Sequence, residues 1–281
     1  MNDANEGRDV RVEPGVDIRD LIVPAWPAPS NVRAWMTTRR GGVSKGCHGA
    51  PPDGGLNLGL GSGDARAAVL ENRARLRAHL PAEPRWLKQV HGIRVVDAAT
   101  AEEGVYAAAI EADASFTDTP GVVCAILVAD CVPVLICDRQ GKRVAAAHAG
   151  WRGLAAGVLE ATIAAGGFDP SETMAWVGPA IGPTRFEVGH DVRDAFMGND
   201  AVADAASAQA FRPHAEAKWL ADLPGLARMR LHACGVTDVV ESGLCTASDA
   251  TRFYSYRRDG VTGRMAALIW IDHAGAQRAA Y

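Results

Sequence analysis

The sequence predicts an α+β protein in which mixed β-sheets are layered with flanking helices. Two observations point there. Short apolar stretches at Val122–Ala129, Val132–Cys137 and Arg143–His148 follow one another through turns at Asp130-Cys131 and Asp138–Lys142. Stretches that are apolar at nearly every position mark strands buried on both faces. The helical segments, in turn, lack the regular strand–helix alternation of a doubly wound parallel sheet.

In chain order, residues 1–29 read as a loose polar lead-in, with Pro24, Pro27 and Pro29 spacing a segment around Trp26. Val32–Thr38 is strand-like. Arg39–Gly63 is crowded with glycine and carries Pro51-Pro52, so it reads as a long loop of the kind that carries function. Asp64 is placed to cap a helix over Ala65–Leu80, with Val69, Leu70, Leu76 and Leu80 as its apolar face. Trp86–Val90 reads as a strand ending at His91-Gly92, and Ile93–Val96 as another. Beyond the central strands, Gly150–Gly153 opens a helix over Leu154–Ala165. Met174–Val177 is a strand stopped by the Gly178–Pro183 loop. Asp191–Met197 and Ala201–Ala210 are helical, and Ala221–Cys234 is a helix closed by Gly235. Val236–Glu241 and Met265–Ile271 complete the strands. No repeat or linker divides residues 30–281, which read as a single domain.

Composition excludes several function classes. The 29 Lys and Arg residues against 33 Asp and Glu give a net charge of −4, and no basic run of five occurs, so there is no footprint for nucleic acid. No stretch of 18 apolar residues is present, and Met1–Arg11 lacks the apolar core of a secretory signal. The six cysteines form no CxxC pair, so zinc-ribbon and thioredoxin readings fail. The expectation is a cytoplasmic monomer with free or metal-ligating thiols, and with neither nucleic-acid nor membrane partners.

There is no P-loop, GxSxG elbow or HExxH helix. Gly59-Leu60-Gly61-Ser62-Gly63 has the wrong spacing for a dinucleotide loop. The group that stands out is His91, Cys131 and His148, each placed at the end of an apolar strand beside a turn. Two imidazoles and a thiolate converging on one rim would suit Zn²⁺ or copper, with a fourth position open. The same residues also read as a Cys131–His148 nucleophile pair, or as ordinary packing residues. Asp130 reads as a group orienting a ligand from behind, or as a turn former. A four-copper oxidase is excluded, because none of the eight histidines forms a His-x-His pair.

At these positions the chain resembles the YfiH family, variously called laccase-domain proteins, polyphenol oxidases, peptidoglycan-editing factors and purine nucleoside phosphorylases. The resemblance rests on Thr38–Ser44, Leu56–Gly59, Glu71–Arg73, Lys88–Gly92, Ala129–Val134, His148–Gly153, Gly178–Gly182, Phe186–Gly189, Cys245-Thr246 and Phe253–Gly260. It runs in order over about residues 30–272 and implies a fold shared with the catalytic domain of cytotoxic necrotizing factors. It further implies that His91, Cys131 and His148 are catalytic and bind zinc or copper. The implied substrates are phosphate with inosine, guanosine, adenosine or methylthioadenosine, and the implied reactions are phosphorolysis and adenosine deamination. The editing-factor name implies an alternative, a cysteine hydrolase acting on cell-wall precursor peptides. A single-site copper-dependent phenol oxidase is another.

For phosphorolysis, Arg40 in its glycine-rich loop and Arg152 at a helix start are the candidates for phosphate. Asn57 and Gln89 are further substrate-binding candidates; on a strand Gln89 would share a face with His91. Phe253, Tyr254 and Tyr256 could stack on a purine, but read first as core or rim packing. Cys47–Gly54 makes the loop longer than the family pattern and would change substrate preference if it covers the pocket. Cys47 and His48 read as a solvent-exposed pair within it.

Overall fold

The computed structural model describes residues 20–52, 54–100, 110–197 and 207–273. In chain order its strands are β1 (Val32–Met36), β2 (Val95–Asp97), β3 (Ala114–Thr117), β4 (Cys124–Val128), β5 (Val132–Asp138), β6 (Val144–Ala149), β7 (Thr173–Val177), β8 (Glu187–Val188), β9 (Phe211–Ala215), β10 (Lys218–Ala221), β11 (Asp238–Glu241) and β12 (Met265–Ile271). The α-helices are α1 (Arg66–Arg77), α2 (Trp151–Ala156), α3 (Val158–Ala165), α4 (His190–Ala195), α5 (Leu223–Ala233) and α6 (Tyr256–Asp259).

The largest sheet has the order β11-β7-β5-β6-β3-β2. Its centre is antiparallel, and a parallel pair closes each edge (β11 with β7, β2 with β3). A second sheet, β1-β12-β4, is antiparallel throughout. The layers explain the continuous apolar strands. On β5, Val134 and Ile136 join α3 and α5 in one core, whereas Leu135 and Cys137 face the second sheet through Ile126, Ala267 and Ile269. Strand β12 is likewise apolar on both sides, with Ala266, Leu268 and Trp270 packing against a third cluster that includes Leu76 of α1. Trp270 meets Trp35 edge-to-face at 4.8 Å. The expected α+β layering is therefore present.

Several elements differ from expectation. Trp86–Val90 is extended but forms only isolated bridges, Arg85 to Cys124 and Lys88 to Glu111. The helix expected over Leu154–Ala165 is two helices, because Gly157 adopts φ 101° between α2 and α3. Asp64 does not cap α1; its carboxylate accepts from Asn57 Nδ2 at 2.9 Å, and Ala65 occupies the cap position. The small sheet β8-β10-β9 was not anticipated, since β9 is exposed at four of five positions and carries Pro213. Ala201–Ala210 lies outside the described residues except for its last four. The glycine-rich segment folds back on itself through bridges from Gly42 to Gly54 and Ser44 to Gly55. Asn72 of α1 stitches it, donating to Gly55 O, Asn57 O and Ser44 Oγ and accepting from Val43 N. A side chain at Gly42 would strike Asn72 Oδ1.

Candidate active site

Three chain segments meet at the upper end of the large sheet. Strand β6 carries His148 as its penultimate residue, buried and in register opposite Pro133. Cys131 lies immediately before β5. His91 comes from a bend rather than a strand end, with φ 61°, a left-handed conformation uncommon outside glycine. What holds that bend is Asp113, fully buried one residue before β3. Its carboxylate accepts from the backbone N–H groups of Val90 (3.1 Å), His91 (2.9 Å) and Gly92 (2.7 Å), and from His148 Nδ1 (2.8 Å). One buried carboxylate thus shapes the loop that presents His91 and fixes the tautomer of His148. With Nδ1–H donated to Asp113, the Nε2 lone pair of His148 is left for the cluster.

The ligand atoms of His91, Cys131 and His148 all lie within 4.8 Å of one another. Cys131 Sγ is 3.7 Å from His91 Nε2, and the two imidazoles meet edge-to-face at 4.8 Å. Gly150 makes room for them. A Cβ there would sit 2.6 Å from His91 Cδ2 and 3.1 Å from Cys131 Sγ. Burial alone would raise the Cys131 thiol, but the His148 imidazole and then His91 outweigh it and bring it down to about 6. Burial works against a charged His148, yet Cys131 and Asp113 raise it to about 9. Asp113 stays below the usual carboxylate range, because its hydrogen bonds from His148, Gly92 and Val90 overcome burial. Without a cation these shifts favour the thiolate of Cys131 and the charged ring of His148, with the Asp113 carboxylate behind it.

This donor set fits one zinc or copper ion. It combines one thiolate with two imidazoles, one of them oriented by a carboxylate, and it opens on a cleft. All eight histidines and six cysteines fall among the described residues, and this is the only cluster of three or more potential ligands there.

The cleft has two lobes that share His91, Ala129, Cys131, Arg152 and Tyr256. The wider lobe, about 550 Å³, is walled by Lys88, Gln89, Ser62 and Arg264, among others. The narrower lobe, about 240 Å³, is walled mainly by Trp151, Ile181, Phe186 and Leu223. Arg152 stacks on Trp151 with its guanidinium carbon 4.2 Å from the ring centroid.

Of the candidates read from sequence, the structure brings His91, Cys131, His148, Arg152 and Gln89 to this cleft. The Gln89 amide is already engaged, donating to Leu127 O and accepting from Leu127 N. Arg40 and Asn57 line neither lobe. Arg40 Nε donates to Thr251 O, and Nη1 lies 4.0 Å from Asp20. Asn57 is fully buried beneath the wider lobe, accepting from Gly59 N and Arg264 N and donating to Ser62 Oγ. Asp130 orients no ligand of the cluster. With φ 91°, it accepts from Thr246 Oγ1, Ser255 Oγ and Arg257 N. Cys47 is exposed, but His48 is buried against Ser62 O and lines neither lobe. Sequence reasoning missed Asp113, Arg264 and Trp151, and favoured packing over base stacking for Tyr256. The signal for Asp113 was a single acid between alanines, Ala112-Asp113-Ala114, where the neighbours announce burial.

Residues 33–272 match the family described as multi-copper polyphenol oxidoreductase laccase. The chain is 53% identical over 252 residues to a purine nucleoside phosphorylase of Pseudomonas aeruginosa, covering 89% of this chain and 98% of that one. It is 51% identical over 253 residues to purine nucleoside phosphorylase YfiH of Escherichia coli, with coverage of 89% and 98%. Among solved structures, a Neisseria meningitidis protein superposes with a TM-score of 0.82 at 48% identity, covering 90% of this chain and 100% of that one. YlmD from Geobacillus stearothermophilus superposes with a TM-score of 0.80 at 31% identity, covering 92% and 98%.

Proposed function

The chain belongs to the multi-copper polyphenol oxidoreductase laccase family, and from that membership we propose that it is a metal-dependent purine nucleoside phosphorylase. What supports this reading is the identity to proteins named for that activity, together with one His–Cys–His cluster set where a cation-walled lobe meets an aromatic one. The substrates are inosine, guanosine, adenosine or methylthioadenosine, with phosphate. Residues 30–281 act as one catalytic domain of a cytoplasmic monomer. No helix among the described residues is long and apolar enough to cross a membrane.

In phosphorolysis a phosphate oxygen bonds to C1′ of the ribose while the bond from C1′ to the purine nitrogen breaks. The base leaves with the electron pair and takes up a proton. The chain must hold an anion on one side of C1′ and a planar base on the other. Trp151, Phe186 and Tyr256 offer apolar surface to the base. Asp113 keeps His91 and His148 in place and holds the Nδ1 proton of His148. His91, Cys131 and His148 would bind zinc or copper, which when present supplies Lewis acidity at the junction of the lobes. Hydrolytic deamination of adenosine, in which water replaces ammonia at C6, is proposed for the same cleft.

One observation favours a second reading. Cys131, His148 and Asp113 are arranged as nucleophile, base and orienting carboxylate, as a cysteine hydrolase of cell-wall peptides would require. Chelation separates the two. On the phosphorylase reading, stripping the metal abolishes base release, and zinc or copper restores it. On the hydrolase reading, chelators leave peptide cleavage intact and alkylation of Cys131 abolishes it. A copper-dependent phenol oxidation at the single site would appear in the copper-loaded protein alone.

A further inference from the structure

We infer that Arg264 is the anion-binding residue of the wider lobe, and that phosphate enters there and not beside Arg40. This rests on the phosphorylase reading for the identity of the anion. The geometry is independent of it. Three cationic side chains line the wider lobe and no carboxylate does. Lys88 is already paired, its Nζ 2.7 Å from Glu111. Arg152 lies over the Trp151 ring at the junction of the two lobes. Arg264 is half-buried, and among the described residues it has no carboxylate within ion-pair distance. Its Nη1 is held by Thr262 O at 2.8 Å and Gly263 O at 3.0 Å. Those two bonds fix the guanidinium plane and leave Nε and Nη2 without a protein acceptor among the described residues. A planar fork with two free donors in a pocket lined by no carboxylate matches a tetrahedral oxyanion.

The surroundings are built to hold this arginine. Its backbone N–H donates to Asn57 Oδ1, the same oxygen that receives Gly59 N, so one buried amide ties the glycine loop to the start of β12. A Cβ at Gly59 would stand 2.6 Å from Arg264 Cγ, so glycine there leaves the path of the arginine stem open. Asn57 is thus a positioning residue for Arg264. The lobe without carboxylates takes the anion, and the aromatic lobe is left for the base.

The test uses the full-length, metal-loaded protein with inorganic phosphate as the probe. Its affinity is measured calorimetrically without nucleoside, and the KM values for phosphate and inosine are measured separately. Arg264→Gln is expected to lose roughly tenfold to a hundredfold in phosphate affinity, with the inosine KM little changed. Arg264→Lys should recover part of the loss. Gly59→Ala, which keeps the charge but displaces the stem, should also weaken phosphate. Equal phosphate binding by wild type and Arg264→Gln, no phosphate binding by either, or a loss seen in Arg40→Gln instead would overturn the proposal. Arg264-dependent phosphate binding without base release would leave the anion site standing and remove the phosphorylase reading.

Discussion

Two buried aspartates flank the cluster, and they do opposite work. Asp113 sits at the start of β3 and binds inward, to the backbone of Val90, His91 and Gly92 and to the ring of His148. Asp130 sits beside Cys131 yet binds outward, to Thr246, Ser255 and Arg257. One organises the groups that would hold a metal; the other anchors the segment that places Tyr256 on the cleft wall. Adjacency in sequence therefore misleads here. The residue next to the thiol supports the substrate wall, and a residue 17 positions earlier in the chain supports the chemistry.

The largest expected effect follows from removing the inward carboxylate. Asp113→Ala leaves three backbone N–H groups and the His148 Nδ1–H without their acceptor. It should cost about 2–4 kcal/mol of stability. Metal affinity should fall roughly 10–100-fold, with kcat/KM falling at least in proportion. Metal analysis after dialysis, denaturant unfolding and turnover check these together. The pH dependence has a definite sign. Asp113 titrates below its ordinary range in the folded protein, so its contribution is present at neutral pH and is lost as acid protonates it. Wild type should therefore lose an increment of stability on acidification that the variant lacks.

A smaller effect sharpens the same contrast. In metal-stripped protein, alkylation of Cys131 by iodoacetamide should reach half its maximal rate near pH 6, since His148 and His91 hold the thiolate. Asp113→Ala weakens the imidazolium and should move that midpoint upward. Asp130→Ala should leave it in place. The smallest effect belongs to the outward carboxylate. Asp130→Ala should retain the metal and raise the nucleoside KM by roughly tenfold through a loosened Tyr256 wall. Loss of metal in Asp130→Ala, or its retention in Asp113→Ala, would reverse the assignment.

The same contrast shows what was legible in the sequence. The doubly buried strands β5 and β12 were visible because burial on both faces leaves no polar position to hide them. His91, Cys131 and His148 were visible because their residue types are rare and, for Cys131 and His148, because they lie at the margins of such strands. Asp113 was missed because its one mark, the flanking alanines, is faint and β3 is too short to show an apolar periodicity. Arg264 was silent because one arginine among 25 carries no mark of its own; its role comes from Gly59 and Asn57, some 200 residues away in sequence. Arg40 was conspicuous for its glycine neighbours; those glycines form the fold-back against Asn72, and Arg40 lines neither lobe of the cleft.

The most direct test of the account is product analysis with inosine and the metal-loaded protein, with and without phosphate, run beside Cys131→Ala. The account predicts hypoxanthine and ribose 1-phosphate in equal amounts from wild type, only when phosphate is present, and neither from the variant. Base release that ignores phosphate, or that survives in Cys131→Ala, would contradict it.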